Sequence, residues 1–392
     1  MIKNLLNFTL ILCLAMPTYS ASKDSLDISR IKDTIISDFL KRDKIFDIQL
    51  PKSYHSEEDK NYPLIVVLDA DYMFNLVAGT VDILSYFGEI PENIVVGIKQ
   101  SDSRFKDSSV LDNINFTPIT STASFYDFIS TELIPHISKK YRTSEFKVIV
   151  GHERTANFAQ FFLLKSKPIF RGIISISPKF SDNMKDYLKQ NFSNLKSKIV
   201  YTLSSSEKDF ESIYNNVKDL SLSLDSLKNP NLKFKSLIFK NENHFQLPVV
   251  SIPQSIRETY SLYSDINKTE YDSIISKIEI SPIDYLLKKY DQIKDFYDYE
   301  KRISINDFNA MEIYIEEFES FELYDELSKL ALKEYPGTIL PSYYKGRFFQ
   351  ETGKLKKAMQ IYRSAYNMEE VEGLSKDYLL SLADKIEEDF NK

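Results

Sequence analysis

The sequence predicts an α/β protein with a mainly parallel central sheet covered by helices on both faces, followed by a smaller all-helical part. Runs of strand length that are apolar on both faces occur at 62–69, 93–98 and 147–150, which is typical of central parallel strands. Segments with helical spacing separate these runs, as in βαβ units. From about residue 264 no further buried strand is predicted, and amphipathic helical patterns rich in Tyr, Phe, Leu, Glu and Lys replace the alternation.

The first twenty residues have the pattern of a cleavable signal peptide. Lys3 supplies a positive start, the apolar run 5–16 is too short to span a bilayer, and small residues at 18 and 20 precede Ala21. We therefore expect cleavage before Ala21 and a secreted or periplasmic product. Cys13, the only cysteine, lies inside this segment, so the mature chain is expected to have neither disulfides nor a cysteine nucleophile.

Composition narrows the classes of function. The net charge of −7 differs from the positive charge that is typical of nucleic-acid-binding proteins. After residue 20, no apolar run in the sequence is long enough for a membrane span. The four histidines lie far apart in sequence, and no zinc or calcium motif is present. With nine glycines in all there is no glycine-rich phosphate loop. The sequence thus predicts no metal and no cofactor.

Elements are predicted along the chain in the following order. The pattern predicts an edge strand (45–51), a central strand (62–69), a helix (74–86), a strand (93–98), a polar loop (99–122) and a helix (123–141). It then predicts the strand 147–150 with its helix, and further strands at 172–178, 198–203 and 233–239. In such sheets ligands lie outside the carboxyl ends of the strands. The polar segments that follow strands are therefore expected at one crevice: 69–71, 99–107, 152–154, 204–209 and 241–244.

The segment 147–159 carries the most informative motif. A short apolar strand stops at Gly151 and a helical pattern follows at once. This is the strand–turn–helix context of the nucleophile elbow, G-x-S-x-G. Here Glu153 occupies the position of the nucleophilic serine, and Thr155 occupies the position of the second glycine.

Four further segments carry a family resemblance: LDAD at 68–71, IPENIVVGI at 90–98, FISTELIPHI at 128–137 followed by YRT at 141–143, and SPK at 177–179. With these segments the chain resembles the esterase family of α/β-hydrolases, the group of enterochelin-esterase-like and esterase-D-like proteins, from about residue 45 to residue 263. The resemblance implies an α/β-hydrolase fold and a small ester-like ligand.

The resemblance also implies the residues of a site. His244, after the last strand, matches the family's catalytic histidine, and the acid falls on Glu207, with Asp209 as the close second. The backbone N–H groups of Arg154 and of Ala70 or Asp71 match the donors that stabilise an oxyanion. The family's R-D-x-T-P loop is only loosely kept, at 104–108.

The substitution at the elbow leaves three interpretations open. Glu153 could be a carboxylate nucleophile, or it could pair with His244 in a different reaction. In the third interpretation the site is inactive as an esterase, and the fold is kept for binding or scaffolding. Loss of both the serine and the second glycine favours the third, and an active hydrolase that uses Glu153 and His244 in an altered mechanism is the alternative.

The C-terminal third is predicted to be a helical domain, so that residues 21–265 form the hydrolase domain and 266–392 the helical one. Residues 341–366 resemble one tetratricopeptide repeat, with a weaker match one period earlier. A groove for a protein or peptide partner and a helical buttress without a ligand are both compatible with this pattern.

Overall fold

A computed structural model describes residues 30–109, 120–181 and 183–390. The predicted signal peptide lies outside the described residues, as does the part of the predicted polar loop between 110 and 119.

One sheet organises the first two thirds of the described chain. Its eight strands are β1 (Arg30–Ser37), β2 (Arg42–Gln49), β3 (Tyr62–Val67), β4 (Ile94–Ile98), β5 (Thr143–His152), β6 (Gly172–Ile176), β7 (Ile199–Lys208) and β8 (Leu232–Asn243). They lie in the order β1-β2-β4-β3-β5-β6-β7-β8. β1 and β2 pair antiparallel with their neighbours, and every other pairing is parallel. The predicted mainly parallel sheet is confirmed.

Helices cover both faces of this sheet. They are α1 (Ala70–Tyr86), α2 (Arg104–Ser108), α3 (Thr120–Asp127), α4 (Ile134–Lys140), α5 (Arg154–Ala159), α6 (Met184–Ser193), α7 (Glu211–Asp225) and α8 (Leu247–Thr259), with a π-helical turn (Phe128–Leu133) before α4. Apolar side chains of α1 and α8 form a core on one face. Those of α3 to α7 form the core on the other. This two-faced covering explains why β3 and β4 consist of buried apolar residues throughout.

Three details differ from the sequence prediction. The strand expected at the edge is β2, which lies inside the sheet because β1 pairs along its outer side. The sequence did not predict β1, whose alternating exposed and partly buried residues include no continuous apolar run. The predicted helix 123–141 is divided between α3, the π-helical turn and α4.

A third core lies in the C-terminal part. It is built from α9 (Lys268–Ser273), α10 (Pro282–Tyr297), α11 (Ile305–Glu317), α12 (Leu323–Glu334), α13 (Leu340–Glu351), α14 (Leu355–Ser364) and α15 (Lys376–Phe390). The start of α10 packs in this core through Ile283 and Leu286, and its end packs against the sheet through Phe296 and Tyr297. Among the described residues, no helix is both long and apolar enough to cross a membrane.

Candidate active site at the carboxyl ends of the strands

The turn between β5 and α5 has the backbone of a nucleophile elbow. Glu153 has φ 56° and ψ −106°, a strained conformation that side-chain-bearing residues rarely adopt. A Cβ on Gly151 would lie 2.6 Å from the backbone carbonyl carbon and oxygen of Thr155, so only glycine allows the strand and the helix to approach this closely. The Glu153 N–H donates to the Ile176 carbonyl at 3.0 Å, which fixes the turn to β6.

The Glu153 side chain is held by an arginine. Arg104, at the start of α2, donates from Nη1 to Glu153 Oε2 at 2.9 Å. Burial opposes ionisation of Glu153, but the hydrogen bond and charge of Arg104 outweigh it, so the pKa of Glu153 is lowered. Glu153, at the position that the sequence predicts for the nucleophile, is therefore an ion-paired carboxylate.

Arg104 is itself anchored by a buried acid. Its Nε and Nη2 donate to the two carboxylate oxygens of Asp69, at 2.8 and 3.1 Å, and Nη2 also donates to the His152 carbonyl at 3.0 Å. The side chain of Asp69 is 1% exposed. Burial alone would lower the pKa of Arg104, whereas the hydrogen bonds and charge of Asp69 raise it. This bidentate geometry places the guanidinium without help from Glu153.

Thr155, in place of the second glycine, belongs to the same network. Its hydroxyl is fully buried and lies 2.7 Å from Asp69 Oδ2, to which it donates. The Thr155 hydroxyl oxygen in turn accepts from the His152 N–H at 2.9 Å. Although Thr155 is larger than glycine, its hydroxyl group therefore stabilises the conformation of the turn.

Two histidine rings lie next to this network. The rings of His152 and His244 are 4.8 Å apart between centroids. Tyr72 Oη lies 3.0 Å from His152 Nδ1, and His152 Nε2 has no hydrogen-bond partner among the described residues. Burial, helped by the charges of His244 and Arg104, lowers the pKa of His152 to about 4. His152 is thus neutral near pH 7.

The acid that orients His244 is Asp209, and the sequence-based preference for Glu207 is wrong on this point. His244 Nδ1 lies 2.8 Å from Asp209 Oδ1, while Glu207 is exposed at the end of β7. Burial would raise the pKa of Asp209, but hydrogen bonds from His244, Ser177 and Ser205 lower it. The bond at Nδ1 leaves Nε2 as the basic nitrogen, the arrangement expected of a catalytic histidine.

The residues predicted to stabilise an oxyanion lie at two helix starts. Ala70 begins α1 and Arg154 begins α5, so both helices point their N-terminal N–H groups toward the carboxyl edge of the adjacent strands β3 and β5. The carboxylate of Asp71 accepts from the N–H groups of Gln100 and Ser101, at 2.7 and 2.9 Å. It therefore fixes the segment that leads into α2.

Three members of this site were not identified as functional residues from the sequence: Arg104, Asp69 and Tyr72. The signal was present for two of them, because Asp69 belongs to the LDAD segment and Arg104 opens the loosely kept loop motif. Sequence separation gives no sign that these two segments are joined by a bidentate ion pair. Among the described residues, no group of three or more His, Cys, Asp and Glu side chains could hold a metal ion.

The strand order, the elbow and the His244–Asp209 pair together define an α/β-hydrolase. The model of the family described as "Putative esterase" matches residues 37–217, so this part of the chain is similar to that family. No curated protein matches the sequence.

Solved structures share the fold. An uncharacterised protein from Capnocytophaga ochracea matches with 24% identity and a TM-score of 0.79, over 92% of this chain and 99% of its own. An IroE-like serine hydrolase from Shewanella oneidensis matches with 21% identity and a TM-score of 0.57, over 77% of this chain and 98% of its own. The BES protein from Bacillus cereus matches with 22% identity and a TM-score of 0.52, over 61% and 97%. Because the first of these matches covers 92% of this chain, it includes helices that follow the sheet as well as the sheet itself.

Proposed function

We propose that this chain is an exported esterase-family protein that lacks serine hydrolase activity and works as a binding or scaffolding protein. A small ester-like ligand would bind at the carboxyl edge of the sheet, and a protein or peptide partner would bind the C-terminal helices. One observation carries the proposal: the nucleophile position holds Glu153, whose carboxylate is bound to Arg104 at 2.9 Å.

This pairing argues against the alternative hydrolase. A carboxylate with a lowered pKa that shares its charge with a guanidinium is a poor nucleophile and a poor base. Glu153 is bound to Arg104 rather than to His244, and His244 is bound to Asp209. The acid and the base that the alternative requires to act together therefore belong to two separate hydrogen-bonded pairs.

The test is hydrolysis of short nitrophenyl esters by the wild type and by Glu153→Ser, Glu153→Ala and His244→Ala. We expect no turnover by the wild type. We expect Glu153→Ser to gain activity that disappears in the double variant with His244→Ala, because Arg104 remains anchored to Asp69 and leaves the serine accessible. Glu207→Ala in the Glu153→Ser background is the matched control and should retain the gained activity, whereas Asp209→Asn should lose most of it.

Turnover by the wild type that both Glu153→Ala and His244→Ala abolish would contradict the proposal and establish the altered mechanism. If no variant hydrolyses the esters although circular dichroism shows that each is folded, the result would support the loss of catalysis. It would also show that a serine at position 153 is not sufficient to restore hydrolysis with the present base and oxyanion donors.

A further inference from the structure

A second polar cleft lies at the edge of the sheet opposite the candidate active site. It opens at the amino ends of β6 and β7 and has a volume of about 530 Å³. Its charged lining consists of Lys147, Lys167 and Arg171 together with the carboxylates of Glu145 and Asp298, and Ser130 and Ser197 add hydroxyl groups. Nothing in the proposed esterase-like site accounts for three cationic side chains at this edge.

The first cation is buried with little compensation. Lys147 is 6% exposed, and its Nζ donates to the Ser144 carbonyl at 3.1 Å and to the Glu145 carbonyl at 3.5 Å. The carboxylate found within ion-pair distance of it, in the described part of the chain, is that of Glu145, at 3.7 Å and with a side chain 88% exposed. An ammonium group removed from water needs closer partners than this.

The second cation retains an unused donor. Arg171 donates from Nη2 to the Phe296 carbonyl at 2.6 Å and forms an ion pair with Asp298 at 2.7 Å. Its Nε is buried and has no hydrogen-bond partner among the described residues. Burial lowers the pKa of Lys147, and the charge of Arg171 acts in the same direction, so the two cations lie close enough to repel each other.

We propose that this cleft binds a small oxyanion, such as inorganic phosphate or the phosphate group of a larger molecule, through Lys147, Arg171 and Lys167. An anion next to the buried Lys147 and the partly buried Arg171 would replace their repulsion with charge-assisted hydrogen bonds. The exposed Lys167 at the rim would attract it from solvent. Glu145, which is also exposed, can turn away, while Asp298 stays with Arg171.

The binding test is isothermal titration calorimetry of the purified chain with inorganic phosphate, sulfate and glycerol phosphate, at low ionic strength. We expect one bound phosphate per chain and about tenfold weaker binding for Lys147→Met, which keeps the side chain's length but removes its charge. Lys167→Glu should weaken binding by a similar factor. Lys165→Met is the matched control, because this exposed lysine is in the same segment but does not line the cleft, and its affinity should equal that of the wild type.

The choice of ligands separates the two sources of the anion. Equal affinity for phosphate and sulfate favours a free ion, whereas tighter binding of glycerol phosphate favours a phosphorylated organic molecule. Absence of binding in the wild type, or binding that Lys147→Met and Lys165→Met leave equally unchanged, would overturn the proposal. If circular dichroism shows that Lys147→Met does not fold, Lys167→Glu against Lys165→Met decides, and an unchanged affinity in Lys167→Glu refutes the site.

Discussion

His152 makes the candidate site sensitive to pH in a way that can be measured as stability. It is 5% exposed, and burial lowers its pKa from 6.5 to about 4. The unfolded chain therefore takes up a proton near pH 6.5, whereas the folded chain takes it up only near pH 4. Stability that depends on neutral His152 is fully present above pH 6.5 and is lost as the pH falls toward 4.

The size of this effect follows from the shift. A difference of about 2.5 pKa units corresponds to about 3.5 kcal/mol in full, at about 1.4 kcal/mol per unit, and about 3 kcal/mol of this is lost by pH 4, where the folded-state histidine is half protonated. His152→Asn removes the titration but keeps a polar group where Nδ1 meets Tyr72. We expect the wild type to lose about 3 kcal/mol more than His152→Asn between pH 7 and pH 4. The free energy of unfolding is measured by urea denaturation at several pH values.

The matched control is His55→Asn, which changes an exposed histidine and should follow the wild-type profile. The comparison uses the slope of the free energy of unfolding against pH. A variant that is less stable than the wild type at every pH can therefore still be compared with it. Parallel profiles for the wild type and His152→Asn would refute the reasoning, because they would show that His152 takes up its proton equally in the folded and unfolded states.

Four further substitutions test the packing and charge of the fold. Arg104→Met should lower the free energy of unfolding by about 3 kcal/mol, since it leaves a buried carboxylate without its cation; a urea midpoint equal to that of the wild type would contradict the ion-pair assignment. Gly151→Ala should cost about 3 kcal/mol through backbone overlap, while Gly79→Ala, with open space around it inside α1, should raise the thermal midpoint. Gly346→Ala should cost about 2 kcal/mol because its Cβ would overlap the Tyr362 ring, and intact helical stability in a thermal scan would show that the ring can move aside.

The parts of the fold that were predicted from the sequence share a physical cause. β3 and β4 are buried on both faces, and such strands must be apolar at every position. β1 was missed because it is half exposed and lies at the edge, so its polar residues match those of a loop. A pattern of apolar residues detects complete burial better than it detects strand pairing.

The error about the acid has a local geometric cause. Glu207 and Asp209 are two residues apart, and an unbroken strand would point both side chains to the same face. β7 ends at Lys208, and the Asp209 N–H turns back to the Ser206 carbonyl at 3.0 Å. The change of direction at this turn carries Asp209 to His244 and leaves Glu207 in solvent, and nothing in the spacing of the two acids indicates it.

The departures from the esterase motif are connected through charge. Arg104 neutralises two carboxylates, those of Asp69 and Glu153, and Thr155 donates to the first of them. Removing the Glu153 carboxylate leaves a balanced Arg104–Asp69 pair, whereas removing Arg104 leaves two carboxylates at one elbow. Because an unpaired buried charge costs more than a paired one that is removed together with its charge, Arg104→Met should be much less stable than Glu153→Ser. The Glu153 carboxylate therefore depends on Arg104 for its counter-charge, whereas Arg104 keeps Asp69 as a partner without Glu153.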